Sequence, residues 1–176
     1  MKPLLVIIAI FLQVSCTGLP QNITAIENFN LQQYLGEWYD IARLDHSFEK
    51  DLMHVTANYS LNKNGSVKVI NKGYDITTQQ WKEAEGKAKF VNETSTAHLK
   101  VSFFGPFYGS YVVFKIDEDD YQYAYITSYN RDFLWLLSRT PKISDDIKED
   151  FIMTIKDLGF NTDELIFVDH NSPTKN

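Results

Sequence analysis

From Phe29 onward the chain alternates apolar and polar residues in short runs, each closed by a turn signal. Val55, Ala57, Tyr59 and Leu61 fall on one face of a run whose other face carries Thr56, Asn58 and Ser60. This period of two is that of a half-buried strand. Asn62-Lys63-Asn64-Gly65 follows as a hairpin turn, because Asn-Gly tolerates the positive φ that tight hairpins need. Val67 and Val69 then share a face with Asn71. Ala84, Gly86, Ala88 and Phe90 alternate with Glu85, Lys87 and Lys89, and Leu99, Val101 and Phe103 alternate with Lys100 and Ser102. Further strands are predicted over Trp38 to Leu44, Tyr111 to Ile116, Tyr121 to Thr127 and Phe133 to Arg139. Eight such strands in series, each half apolar, predict an all-β fold: an eight-stranded antiparallel up-and-down barrel without exposed edges. A barrel of that size is just wide enough for one small ligand.

After Arg139 the period changes. Ser144 suits a helix N-cap, Asp145 and Asp146 suit a first turn, and Gly159 suits a C-terminal stop. Ile147, Phe151, Ile155 and Leu158 lie on one face of the helix between them. A single apolar stripe predicts a C-terminal α-helix packed on the outside of the barrel. Leu165 to Val168 reads as a last strand, and residues 171–176 as a disordered tail.

The first residues follow another pattern. Lys2 and the unbroken apolar run from Leu4 to Leu12 form a secretory signal over residues 1–15, too short to span a bilayer. It leads to Ser15-Cys16, and Cys16 is the only cysteine in the chain. A small residue before a lone cysteine resembles the lipobox of bacterial lipoproteins, in which that thiol is diacylated. Gln13 departs from the pattern, which leaves ordinary cleavage and a free thiol open. Residues 16–28 read as a polar tether, and residues 29–170 as the barrel with its helix.

Composition narrows the function. Hydrophobic residues make up 44% of 176 and aromatics 14%, enough for one domain with a sizeable core. The net charge of −6 contains no clustered basic footprint, so no nucleic-acid partner is expected. No disulfide can form within the chain, and no cysteine lies in the barrel for thiol chemistry. His46, His54, His98 and His170 lack metal-ligand spacing and read as solvent-exposed, so no metal or cofactor is expected. The run Asp117 to Asp120 reads as a solvated hairpin, since it lacks the spacing of a calcium loop. Nucleophile elbows and phosphate loops are likewise missing, and the chain reads as a non-enzyme.

Gly36-Glu37-Trp38-Tyr39 before the first strand and Ser138-Arg139 at the end of the eighth resemble signatures of the lipocalin family. Leu99 to Gly109, Ile70 to Tyr74 and Leu136 to Pro141 are similar to its bacterial branch, and the likeness runs from about Asn28 to Val168. The resemblance implies that Arg139 lies across the ring of Trp38 and closes the barrel base, a structural pair. By similarity to apolipoprotein D-like members, Tyr34, Tyr59, Asn71 and Trp135 match pocket-facing positions. Parity adds Ala42, Val69, Tyr111 and Val113 to that lining. Tyr59, Tyr111 and Trp135 read equally as core packing, and Asn71 as either a head-group contact or the partner of a buried water. The resemblance implies a carrier of a fatty acid, lysophospholipid or phospholipid, with the polar head near the loop from Asp45 to Met53. It also implies outer-membrane anchorage through Cys16, facing the periplasm, in storage, transport or envelope maintenance. A filled structural barrel and a lipid-modifying enzyme remain as alternatives, and a homodimer stays open.

Overall fold

The computed structural model describes residues 17–171. A short helix α1 (Leu31–Tyr34) leads into eight strands: β1 (Gly36–Leu44), β2 (Leu52–Leu61), β3 (Val67–Asp75), β4 (Gln80–Phe90), β5 (His98–Ser102), β6 (Gly109–Ile116), β7 (Tyr123–Thr127) and β8 (Leu134–Ser138). Helix α2 (Asp145–Asp157), a 3-10 turn (Thr162–Glu164) and a short strand β9 (Leu165–Phe167) follow. Each strand pairs antiparallel with the next, and β1 pairs with both β2 and β8, which closes the barrel. Strand β9 adds to the outside edge of β1 at Ala42–Leu44.

The hairpins form where turn chemistry allows. Gly65 takes a φ of +79° in the β2–β3 turn, inside a bond from the Asn62 amide to the Ser66 carbonyl. The β3–β4 turn contains neither glycine nor proline. There Asp75 accepts from the Thr77 and Thr78 amides and the Thr77 hydroxyl, and it pairs with Lys82. A side chain that satisfies several turn amides replaces the glycine signal and lets β3 and β4 run longer than their apolar alternation shows.

One sheet separates two apolar clusters. The inner one gathers Trp38, Tyr59, Val67, Val69, Leu99, Val113, Ile126 and Leu137. The outer one gathers Ile41, Leu44, Tyr125, Leu134 and Leu136 with Phe151, Ile155 and Phe160. Ser144 caps α2 by accepting from the Ile147 amide, and Gly159 ends it with φ +79°. Between these caps Phe151 and Ile155 are fully buried against the barrel. Asp150 fastens the helix further, accepting from the Tyr125 hydroxyl at 2.6 Å and pairing with Lys115.

Strand β1 corrects the parity argument. Its ladder to β8 pairs Asp40 with Leu137 and then Ala42 with Leu136, so one residue of β1 is extra. This bulge reverses the alternation beyond it. Ala42, expected in the lining, belongs to the outer cluster under α2, while Arg43 pairs with Trp135 and turns inward.

Candidate functional site

The floor of the barrel is built first. Gly36 adopts φ +99°, a conformation that strains other residues, and a Cβ there would lie 3.4 Å from the Arg139 Nη1 atom. This turn delivers Trp38 to the barrel axis, fully buried, with its Nε1 donating to the Tyr34 carbonyl at 2.8 Å. The Arg139 guanidinium lies 3.8 Å from the Trp38 ring. It donates to the carbonyl oxygens of Glu37 at 2.8 Å, Gln33 at 2.6 Å, Leu35 at 3.0 Å and Tyr121 at 3.3 Å. One fork therefore satisfies carbonyls at the end of α1, at the start of β1 and in the β6–β7 loop while covering the indole.

Above the floor, three phenols converge. The Tyr111 hydroxyl is 2.6 Å from that of Tyr34 and 2.8 Å from that of Tyr59. Burial pushes all three phenols above their usual range, so they stay neutral. Three O–H groups joined by two hydrogen bonds leave one hydrogen without an acceptor in the trio. Higher on β3, the Asn71 Oδ1 atom is buried without a hydrogen-bond partner among the described residues. Val69 and Val113 are buried in the same inner cluster, and Tyr111 and Trp135 pack against it half-buried. Gly86 leaves room on the inner face for Phe103, whose ring would stand 2.8 Å from a Cβ there. Seven of the eight expected lining positions thus face inward, with Ala42 as the exception.

The mouth holds charge that alternation did not disclose. Arg43 is 2% exposed, Asp40 3% and Glu49 7%. Arg43 donates to the Asp40 carboxylate at 2.9 Å and to the carbonyls of Glu49 at 2.9 Å and Leu52 at 3.0 Å. Glu49, on the loop over residues 45–51, accepts from the Trp135 indole N–H at 2.9 Å. Burial first, then the neighbouring Glu49 charge, raises Asp40 to about 7 against the pull of Arg43. Burial also raises Glu49, with Trp135 and Arg43 opposing. One signal existed: Asp40 shares parity with Trp38, which puts a carboxylate inside and therefore calls for a cation to follow it in. Nothing local marked Glu49.

The histidines also depart from expectation. His46 is buried between the rings of Phe48, Phe133 and Trp135, at centroid distances of 5.3, 4.9 and 4.9 Å. Burial, then Arg43, lowers it to about 4, so it stays neutral. His98 is buried on the outer wall against the Ser110 hydroxyl at 2.9 Å. Among the described residues no cluster of three or more His, Cys, Asp or Glu side chains could hold a metal. Cys16 and the signal segment lie outside the described residues.

A closed antiparallel barrel with a sealed floor, an aromatic and aliphatic inner wall and an external helix has the architecture of single-chain carriers of small hydrophobic molecules. The lipocalin-like domain matches residues 29–170, and the chain belongs to the lipocalin family. It is 48% identical over 168 residues to the outer membrane lipoprotein Blc of Vibrio cholerae, covering 96% of this chain and 98% of the relative. The protein of that name from Citrobacter freundii is 48% identical over 162 residues, 91% of each chain. Apolipoprotein D from Bos taurus is 40% identical over 123 residues, which are 65% of this chain and 63% of that protein. Insecticyanin from the tobacco hornworm Manduca sexta shares the fold at a TM-score of 0.69 and 17% identity, with 88% of each chain covered.

Proposed function

We propose that this lipocalin binds a fatty acid, lysophospholipid or phospholipid in its barrel and serves lipid storage, transport or maintenance of the bacterial envelope. The observation that carries the reading is the inner wall: aliphatic and aromatic side chains with a few hydrogen-bonding atoms left over, at Asn71 and in the tyrosine trio. An acyl chain laid against such a wall gains about 0.8 kcal/mol for each methylene buried, while scattered polar atoms orient its oxygens. Relatives named outer membrane lipoprotein, together with the Ser15-Cys16 junction, support anchorage in the outer membrane through acylated Cys16, with the barrel on the periplasmic side. Two acyl chains make that anchorage stable. The reading assigns no catalytic residue.

Native mass spectrometry of the protein extracted from its own membranes tests the cargo, and a barrel that is always empty refutes it. Labelled palmitate should enter the parent protein and not the Cys16→Ser variant. Equal labelling of both, or none in the parent, refutes the anchor. The alternative of a filled, purely structural barrel draws on the three tyrosines bonding to one another. Displacement of a fluorescent fatty acid separates the two, because a plugged lumen yields no signal.

A further inference from the structure

The loop over residues 45–51 sends one carboxylate into the mouth of the barrel. Glu49 ends on the Trp135 indole N–H, and Trp135 packs its ring on the inner apolar cluster. Arg43, directly across the β1–β8 ladder from Trp135, faces the same space. Its Nη atoms are engaged by Asp40 and by the carbonyls of Glu49 and Leu52, but its Nε is buried without a partner among the described residues, as is the Asp40 Oδ1 atom. One guanidinium and one indole N–H thus stand side by side at the top of the lumen; the Glu49 carboxylate occupies the indole N–H, while Arg43 holds the Glu49 backbone carbonyl.

We propose that Glu49 is the resident occupant of an anion subsite, and that an amphiphile with a carboxylate or phosphate head binds by taking its place on the Trp135 indole N–H, beside Arg43. The inference rests on the lumen reading above and specifies the chemistry of the head group. Two carboxylates share one cation at this mouth, so ionised Glu49 is poorly compensated where it sits. Release to solvent restores its hydration. The incoming anion meets the same indole donor beside the same guanidinium, and the total charge of the mouth is unchanged by the exchange. A head group on Trp135 Nε1 directs its chain along the Trp135 ring into the inner cluster, toward Tyr111 and Val69. A neutral head, such as an alcohol, gains nothing from evicting Glu49 and binds by its chain alone.

Calorimetric titration with hexadecanoic acid, hexadecanol and the matching lysophosphatidate tests this on the parent, Glu49→Ala, Glu49→Gln and Trp135→Phe. Removing the resident acid in Glu49→Ala should tighten the anionic probes about tenfold, the scale of a charged hydrogen bond, and leave hexadecanol unchanged. Glu49→Gln keeps the volume and the bond to Trp135, so it should tighten the anions less than Ala does. Trp135→Phe should weaken the anions and spare the alcohol. A gain confined to the acid assigns the subsite to carboxylates, and one confined to the lysophosphatidate assigns it to phosphates. Equal tightening of all three probes would show that Glu49 is only a plug, and no change in any would show no subsite; either overturns the inference while the lumen reading stands. Failure of every probe on every variant overturns the lumen reading, and the inference with it.

Discussion

Arg139 does several jobs with one group, and its replacement measures their sum. Gln in its place cannot reach four carbonyls or cover an indole face. Arg139→Gln should therefore lower stability by about 3 kcal/mol, the scale of losing charged hydrogen bonds to partly buried carbonyls, read as a lower urea midpoint. Asp40 makes a prediction about pH. Its folded-state value is raised to about 7 from 3.8, so the folded protein holds a proton that the unfolded chain releases. Its contribution to stability is full below about pH 4 and declines as pH rises to about 7. His46 acts in the opposite sense, lowered to about 4 from 6.5, and stability gains from it as pH rises through that window. Comparing Asp40→Asn with the parent cancels the histidine contribution. The variant should gain on the parent by at least about 1 kcal/mol between about pH 5 and about pH 8, since one pKa unit is about 1.4 kcal/mol. A difference that does not vary with pH would refute the assignment.

At the scale of elements, the bulge in β1 decides which residues meet the lumen. Ala42 sits under α2, so a larger side chain there crowds the helix and not the cargo. Ala42→Leu should cost about 1–3 kcal/mol by overpacking and leave the affinity for a fluorescent fatty acid unchanged. Gly86 is the matching inner test. Its missing Cβ leaves room for the Phe103 ring, so Gly86→Val drives that ring into the lumen and should weaken the same probe about tenfold. Together the two substitutions assay the parity of the strands in solution. An affinity loss in Ala42→Leu would mean that the alternation runs through Asp40 unbroken.

For the whole molecule, the sheet is shared. Trp38, Leu137 and Val113 bury one side of it, and Ile41, Leu136 and Tyr125 bury the other beneath α2. With no disulfide in the chain, stability rests on these two clusters, and β1 and β8 contribute to both. Truncation of Phe151 to Ala, which leaves a cavity between helix and sheet, should cost about 3–5 kcal/mol. The helix cannot detach while the barrel persists unchanged, so tryptophan fluorescence and far-ultraviolet circular dichroism should lose signal at the same urea concentration. Alternation and closure need residue classes and not particular residues, so the shared sheet tolerates volume-conserving apolar exchanges on either side.

The amino-acid sequence alone determined the strands, most of the turns, the barrel they close and the helix. These follow from local periods and from turn residues with special φ, while the pairing of Trp38 with Arg139 at the floor followed from the resemblance to lipocalins. Alternation pointed Val69, Tyr111 and Val113 inward, and the family resemblance did so for Tyr34, Tyr59, Asn71 and Trp135. Only the tertiary structure decided that Ala42 and Arg43 exchange faces, that Glu49 enters the mouth, and that His46 and His98 are buried. A bulge is set by the ladder a strand shares with its neighbours, and the chain around Asp40 carries no glycine or proline to announce it. A charged residue enters a low-dielectric interior only when a partner arrives with it. For Glu49 that partner is the indole of Trp135, eighty-six positions away along the chain.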